Sequence, residues 1–129
     1  MSHDISMQDT YNQLTDEREM LRNLIKSLQV YNRKLAKAEF EYRKTLTRVC
    51  FQLKEKGYKG EIDGEYTEVG KTAWTVTTTL ARGIPEVADK RFERDTVQGE
   101  IDAIREKIYQ TKIEIRLLEG EMESIQRGE

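Results

Sequence analysis

The stretch TAWTVTTTLARGIPEVADKR, residues 72–91, decides how this chain is folded, because it separates two long runs of helical periodicity. It holds the only Trp and the only Pro, Trp74 and Pro85, and a run of Thr that closes on Leu80-Ala81-Arg82-Gly83. Pro85 suits the first turn of a helix, where its missing amide costs nothing, and Glu86 and Asp89 suit the positive end of the helix dipole. A helix is therefore predicted to start after Gly83. For residues 71–82 two readings compete. As a strand, Trp74, Val76, Thr78 and Leu80 alternate on one face, which β-branched residues favour. As a short helix, Ala73, Trp74, Thr77, Leu80 and Ala81 share a face and Gly83 supplies the stop. The helix is preferred, since an isolated strand beside long helices has nothing to pair with.

Upstream, Thr10-Tyr11-Asn12-Gln13 fits a capping box, which places a helix start at Thr10 and leaves residues 1–9 as a disordered N-terminus. Leu14, Leu21, Leu28, Leu35, Tyr42 and Val49 then recur every seven residues. Tyr11, Leu24, Ile25, Tyr31, Ala38, Leu46 and Leu53 fill the intermediate turns, so a coiled-coil seam is predicted. No Gly or Pro interrupts it before Gly57, where an αL residue ends the helix after Lys54 and Lys56. Downstream, Ile101, Ile104, Ile108, Ile115, Leu118, Met122 and Ile125 form a second seam with Thr111 as a polar insertion. Val87, Ala88, Phe92 and Val97 are out of phase with it, and the packing is expected to change near Gly99, a costly residue in a helix interior.

These patterns predict an all-α single domain, 1–129: an antiparallel two-helix coiled-coil hairpin with helices over 10–56 and 84–127. The connector, 57–83, carries the short helix, and its GYKGEIDGEYTEVG segment reads as a loop or a small β-turn excursion. Two rods bury only one face each. Phe40, Phe51, Tyr109, Ile113 and Leu117 lie off the seams, and self-association into a multi-helix oligomer is expected. The alternative is that the middle segment folds over part of them.

Apolar and charged residues each make up 36% of the chain, a balance that suits solvated rods better than a compact globule. The single cysteine, Cys50, excludes an intramolecular disulfide. The N-terminal MSHDISMQD has no basic, apolar leader, and no run of apolar residues is long enough to span a bilayer. A cytoplasmic protein without membrane contact is expected. The net charge of −2 conceals an asymmetry: residues 33–59 carry nine Lys/Arg against three acids, while residues 95–129 carry five against nine.

Few motifs point to chemistry. Gly70-Lys71-Thr72 resembles the end of a phosphate-binding loop, but Gly64 stands one residue too far upstream and no buried strand leads in. One Cys and one His make no metal site, and no base is evident for a nucleophile. The expectation is a protein without catalytic residues, metal or cofactor. The basic segment is more informative. Arg43, Lys44 and Arg48 fall within about one and a half turns, with Tyr42 and Phe40 near enough to stack, and Arg82, Arg91 and Arg94 belong to the same end of the hairpin. Such a patch fits a phosphate backbone. Solvation, or pairing with acids such as Glu39 and Glu41, accounts for the same residues. Arg82 also suits the negative pole of the short helix. Trp74 either caps the core, the safer choice, or forms an exposed hot spot for a partner.

Three pieces in order, KLAKAEFEYRKTL (34–46), LARGIPEVADKRFERD (80–95) and IYQTKIEIRLLEGEMES (108–124), resemble a group of small proteins encoded by tailed phages and prophages of Gram-positive bacteria. In those phages the similar chains lie among early genes, near those for recombination and single-strand DNA-binding proteins. The resemblance covers roughly residues 30 to 125 and brings no catalytic residues with it. It implies a non-enzymatic accessory in DNA replication or recombination that contacts a protein or single-stranded nucleic acid through Arg43, Lys44, Arg48, Arg82, Arg91 and Arg94. Two other roles compete: an inhibitor of a host enzyme or defence complex whose acidic C-terminal helix imitates nucleic acid, and a structural or assembly protein of the virion.

Overall fold

The computed structural model describes residues 3–56, 59–62, 65–68 and 73–128. Residues 1–2, Gly57, Gly64 and the Gly70-Lys71-Thr72 triplet lie outside them. Three helices, α1 (His3–Lys56), α2 (Trp74–Arg82) and α3 (Pro85–Gln126), make up nearly all of the described chain. Between α1 and α2 two short strands, β1 (Lys59–Ile62) and β2 (Glu65–Glu68), pair antiparallel in a register that sets Lys59 opposite Glu68 and Ile62 opposite Glu65. The β-turn excursion read from the glycine-rich segment is thus a hairpin.

The residues group into two compact units, one of 1–32 with 99–129 and the other of 33–98. The division on α3 falls at Gly99, but the expected change of phase is not there: Val87, Lys90, Arg94, Val97, Ile101, Ile104 and Ile108, all buried or partly buried, alternate by three and four without a break.

In the first unit, Leu14 packs with Ile115 and Leu118, and Leu21 and Met122 close around them. Thr10 bonds Glu121, Arg18 bonds Glu119 and Thr111 meets Met20, so position numbers on α3 fall as those on α1 rise. The two segments therefore run in opposite directions within this unit. Ile101 is fully buried, and Ile108, Thr111 and Ile115 follow it on the same side of α3. Thr111, the polar insertion, costs little there. Its hydroxyl donates to the Lys107 carbonyl at 2.7 Å, which supplies a partner without disturbing the seam.

Two expectations for this unit are corrected. The helix starts at His3 rather than Thr10, because nothing between those positions breaks it, and residues 3–9 are its first turns instead of a disordered arm. Thr10 is accordingly not a cap. It is buried, and its hydroxyl donates to Glu121 Oε1 at 3.3 Å. Tyr11 and Ile25, assigned to the seam, are exposed.

In the second unit the core comprises Tyr42, Val49 and Cys50 of α1, Ala81 of α2 and Val87 of α3, with Leu46, Leu53 and Ile84 packed against it. The helical reading of residues 71–82 holds for Trp74–Arg82. The buried face of α2 is Thr77 and Ala81. How a run of β-branched Thr is held in a helix is visible in its hydroxyls: Thr77, Thr78 and Thr79 donate to the carbonyls of Ala73, Trp74 and Thr75, at 3.5, 2.8 and 2.9 Å. Each polar group is satisfied four residues back, with no demand on the fold.

α2 ends at Arg82 with Gly83 as its C-cap, as the sequence suggested, but not through a left-handed glycine. Its φ of −83° is ordinary right-handed backbone, and a Cβ there would meet the Leu80 carbonyl at 3.5 Å, a normal contact. The stop is Pro85. Continuing α2 would require an amide at position 85 to reach the Ala81 carbonyl, and proline has none. Ile84 donates to that carbonyl instead, at 3.1 Å, and α3 begins with Pro85 in its first position. No helix among the described residues is long and apolar enough to cross a membrane.

If this account of the turn and core is right, Gly83→Ala changes unfolding stability by no more than about 1 kcal/mol. Ile101→Ala, which empties a fully buried site, costs about 2–5 kcal/mol. Urea denaturation of both variants checks the ranking, and a larger loss for the glycine variant would contradict it.

Candidate nucleic-acid interface

α1 carries the site because its second half has two different sides. Tyr42, Thr45, Val49 and Cys50 are buried, which turns the opposite side outward. Residues seven and eleven apart return to nearly the same side of an α-helix. Arg33, Phe40, Thr47 and Phe51 therefore form one line, flanked within about a sixth of a turn by Lys37, Arg43, Lys44 and Lys54. Arg33, Lys37, Arg43 and Lys44 are exposed, and Phe40 and Phe51 are 63% and 59% exposed. Glu55, at the edge, is the one acid on this side. The two phenyl rings stand roughly 16 Å apart along the axis, at 1.5 Å per residue.

α2 adds the indole. Trp74 is 50% exposed, so its assignment to the core is corrected. It stands edge-on to Phe51, with ring centroids 5.5 Å apart and an interplanar angle of 74°. Lys54 Nζ sits 5.2 Å from the indole centroid, a cation on an aromatic face. Trp74 is displaced from the core because Thr77 and Ala81 set the buried side of a nine-residue helix, and a ring at its first position falls beyond the end of that stripe. Arg82 and Trp74 line the same shallow hollow along α2, with Thr75, Thr78 and Thr79.

The six cations singled out from the sequence do not form one patch. Arg43 and Lys44 lie on the outward side of α1, Arg43 pairing with Glu39 at 3.3 Å one turn away. Arg48 is committed elsewhere: it pairs with Glu86 at the start of α3, and its other amino group reaches Gln52 Oε1 at 3.3 Å. Arg94 lies over the Tyr42 ring, 4.4 Å from its centroid, and bonds Asp95 at 3.0 Å. Tyr42 is thereby covered, not a stacking surface. Arg91 faces Asp95 as well, at 3.9 Å. Arg48, Arg91 and Arg94 thus have acids beside them, as the pairing alternative anticipated. Arg33, Lys37 and Lys44 have no ion-pair partner among the described residues. Beside this side of α1, an open groove of about 590 Å³ separates it from α3, with Ala38, Phe92 and Val97 among its lining and both cations (Lys34, Lys37, Lys90) and acids (Glu41, Glu93) around it.

Sequence reasoning passed over Arg33, Lys37, Phe51 and Lys54 as contact residues. The signal was available in the eleven-residue spacing of Phe40 and Phe51, but a seam-first reading assigns such positions to whatever lies off the seam. Cys50 is buried in the core. Among the described residues no group of three or more His, Cys, Asp or Glu side chains is arranged to hold a metal ion.

Two measurements check this geometry. Trp74, as the sole indole, emits at the long wavelength of a solvated ring and is readily quenched by acrylamide; a blue-shifted, protected emission would contradict its placement. The Arg48–Glu86 pair is about half exposed on both sides. A double-mutant cycle across it gives a coupling of about 0.2–1 kcal/mol.

A scan against protein-family models, a search of curated proteins and a search of solved structures find no match to this chain.

Proposed function

We propose that this chain is a helical-hairpin coiled coil that self-associates and works by contact rather than catalysis. Its outward side of α1 from Arg33 to Lys54, with Trp74, binds single-stranded nucleic acid. The setting is the one its resemblance implies, an accessory role in phage DNA replication or recombination. Opposed helix directions within each unit support the hairpin: Thr10 meets Glu121 and Met20 meets Thr111 in one, and Tyr42 meets Arg94 and Arg48 meets Glu86 in the other.

The observation that carries the binding role is the joint exposure of Phe40, Phe51 and Trp74 among five cations and one edge acid. Exposed rings cost solubility unless something covers them. Bases offer a flat face to each ring, and the phosphates between them offer counter-charge to the cations. Stacking needs no particular base, so the expected binding is tolerant of sequence and sensitive to salt. The competing idea, that the acidic C-terminal helix imitates nucleic acid, has less behind it. Glu119 is engaged with Arg18, Glu121 with Thr10 and Glu123 with Arg127.

The test is titration of a thymidine oligonucleotide followed by Trp74 fluorescence. Binding quenches the indole, and log affinity falls with log salt at a slope of about −3, as expected for roughly four neutralised phosphates on a single strand. Phe51→Ala and Trp74→Ala each weaken binding by roughly tenfold, since a stacked base contributes about 1–3 kcal/mol. Lys37→Glu with Lys44→Glu weakens it further without loss of helix content. Absence of binding at low salt, or binding indifferent to salt, overturns the proposal.

A further inference from the structure

In the second unit, the corner where α2 meets α1 holds two aromatic rings at an angle. The centroids of Phe51 and Trp74 are 5.5 Å apart and their planes meet at 74°. Both rings are at least half exposed. The helices that carry them are packed together through Val49, Cys50 and Ala81, so the rings stay side by side. Lys54 Nζ lies over the indole, 5.2 Å from its centroid. From Trp74 a hollow of about 360 Å³ runs along α2 to Arg82, which is exposed and has no ion-pair partner among the described residues.

We infer that this corner holds two neighbouring bases apart, and that the interface therefore selects single strands by how readily their bases unstack. The inference rests on the nucleic-acid contact proposed above and adds the class of strand it takes. In a stacked strand successive base planes are parallel and about 3.4 Å apart. No two of them can lie flat on rings that stand nearly perpendicular. A base flat on Phe51 and the next flat on Trp74 must turn away from each other, which leaves the phosphate joining them at the corner. Lys54 is placed to meet it. An exposed contact between a cation and a ring is weaker than a stacked base, so the base displaces the ammonium from the indole towards that phosphate. Arg82, about 12 Å along α2 from Trp74, supplies a guanidinium for the phosphate that follows. Each ring accepts any base, so base identity is not read. The preference falls on thymidine or uridine runs, whose bases stack weakly on one another, over adenosine runs, whose stacking must first be broken.

Titration of the full chain with oligothymidine and with oligodeoxyadenosine of equal length at low salt, followed by Trp74 fluorescence, tests the inference. The thymidine strand binds about three- to tenfold tighter, as expected if the adenosine strand must give up part of one stacking step. Phe51→Leu removes one of the two rings, keeps an apolar side chain and leaves Trp74 to report; it brings the two affinities to within about twofold of each other. Arg82→Ala weakens both strands alike, lowers the salt slope by about 0.7 and leaves their ratio unchanged. Equal affinities for the wild-type protein, or tighter binding of the adenosine strand, overturn the inference and leave the interface standing. A ratio that survives Phe51→Leu overturns it as well, because the preference then arises away from this corner. Absence of binding by either strand overturns the nucleic-acid contact and this inference together.

Discussion

Proline 85 has no amide hydrogen, and the arrangement of the second unit follows from that. The Ala81 carbonyl, deprived of the donor a continuing helix would supply, accepts from Ile84 instead, and the chain leaves α2 and enters α3 in a single tight turn. The turn sets Ala81 and Val87, both fully buried, into the same cluster as Tyr42, Val49 and Cys50. Without it the last turn of α2 and the first of α3 would be one helix, unable to bring both residues to α1. Gly83, by composition the more conspicuous residue of the turn, has no conformational task there that another residue could not perform.

Because the helices are narrow and highly charged, the placement of each charge matters more than its number. Arg48, Arg91 and Arg94 are drawn onto carboxylates or an aromatic ring by residues brought near through packing. What remains for an outside anion is the side of α1 on which Arg33, Lys37 and Lys44 have no ion-pair partner among the described residues. The same reasoning applies to the exposed rings. Phe40, Phe51 and Trp74 are set among cations, an environment suited to an anionic partner with flat faces.

Buried threonines show how polar residues are accommodated in a thin core. Thr77 and Thr111 donate back to their own helices, and Thr10 bonds Glu121. None of them leaves a buried side-chain oxygen unpartnered among the described residues. A helix that tolerates such residues in its seam does so at little energetic cost, since the hydroxyl keeps its hydrogen bond while the methyl packs.

From the sequence alone the helices, their apolar stripes and the Pro85 start were legible, because they depend on local rules: the 3.6-residue period, the missing proline amide and the dipole. The change of phase expected near Gly99 was a misreading, since exposed Phe92 obscures Val87 and Val97, which lie on the same stripe as Ile101. The hairpin of β1 and β2 was half legible, as a turn excursion in a glycine-punctuated segment. The tertiary structure alone decided that Thr10 lies inside α1 rather than at its start, since a Thr that fits a cap fits a helix interior equally well when no breaker precedes it. It also decided which arginines are taken and which way Trp74 faces. Charge pairing joins residues such as Arg48 and Glu86 that are distant along the chain, and burial is set by the stripe of a neighbouring helix, so neither is written in any local pattern.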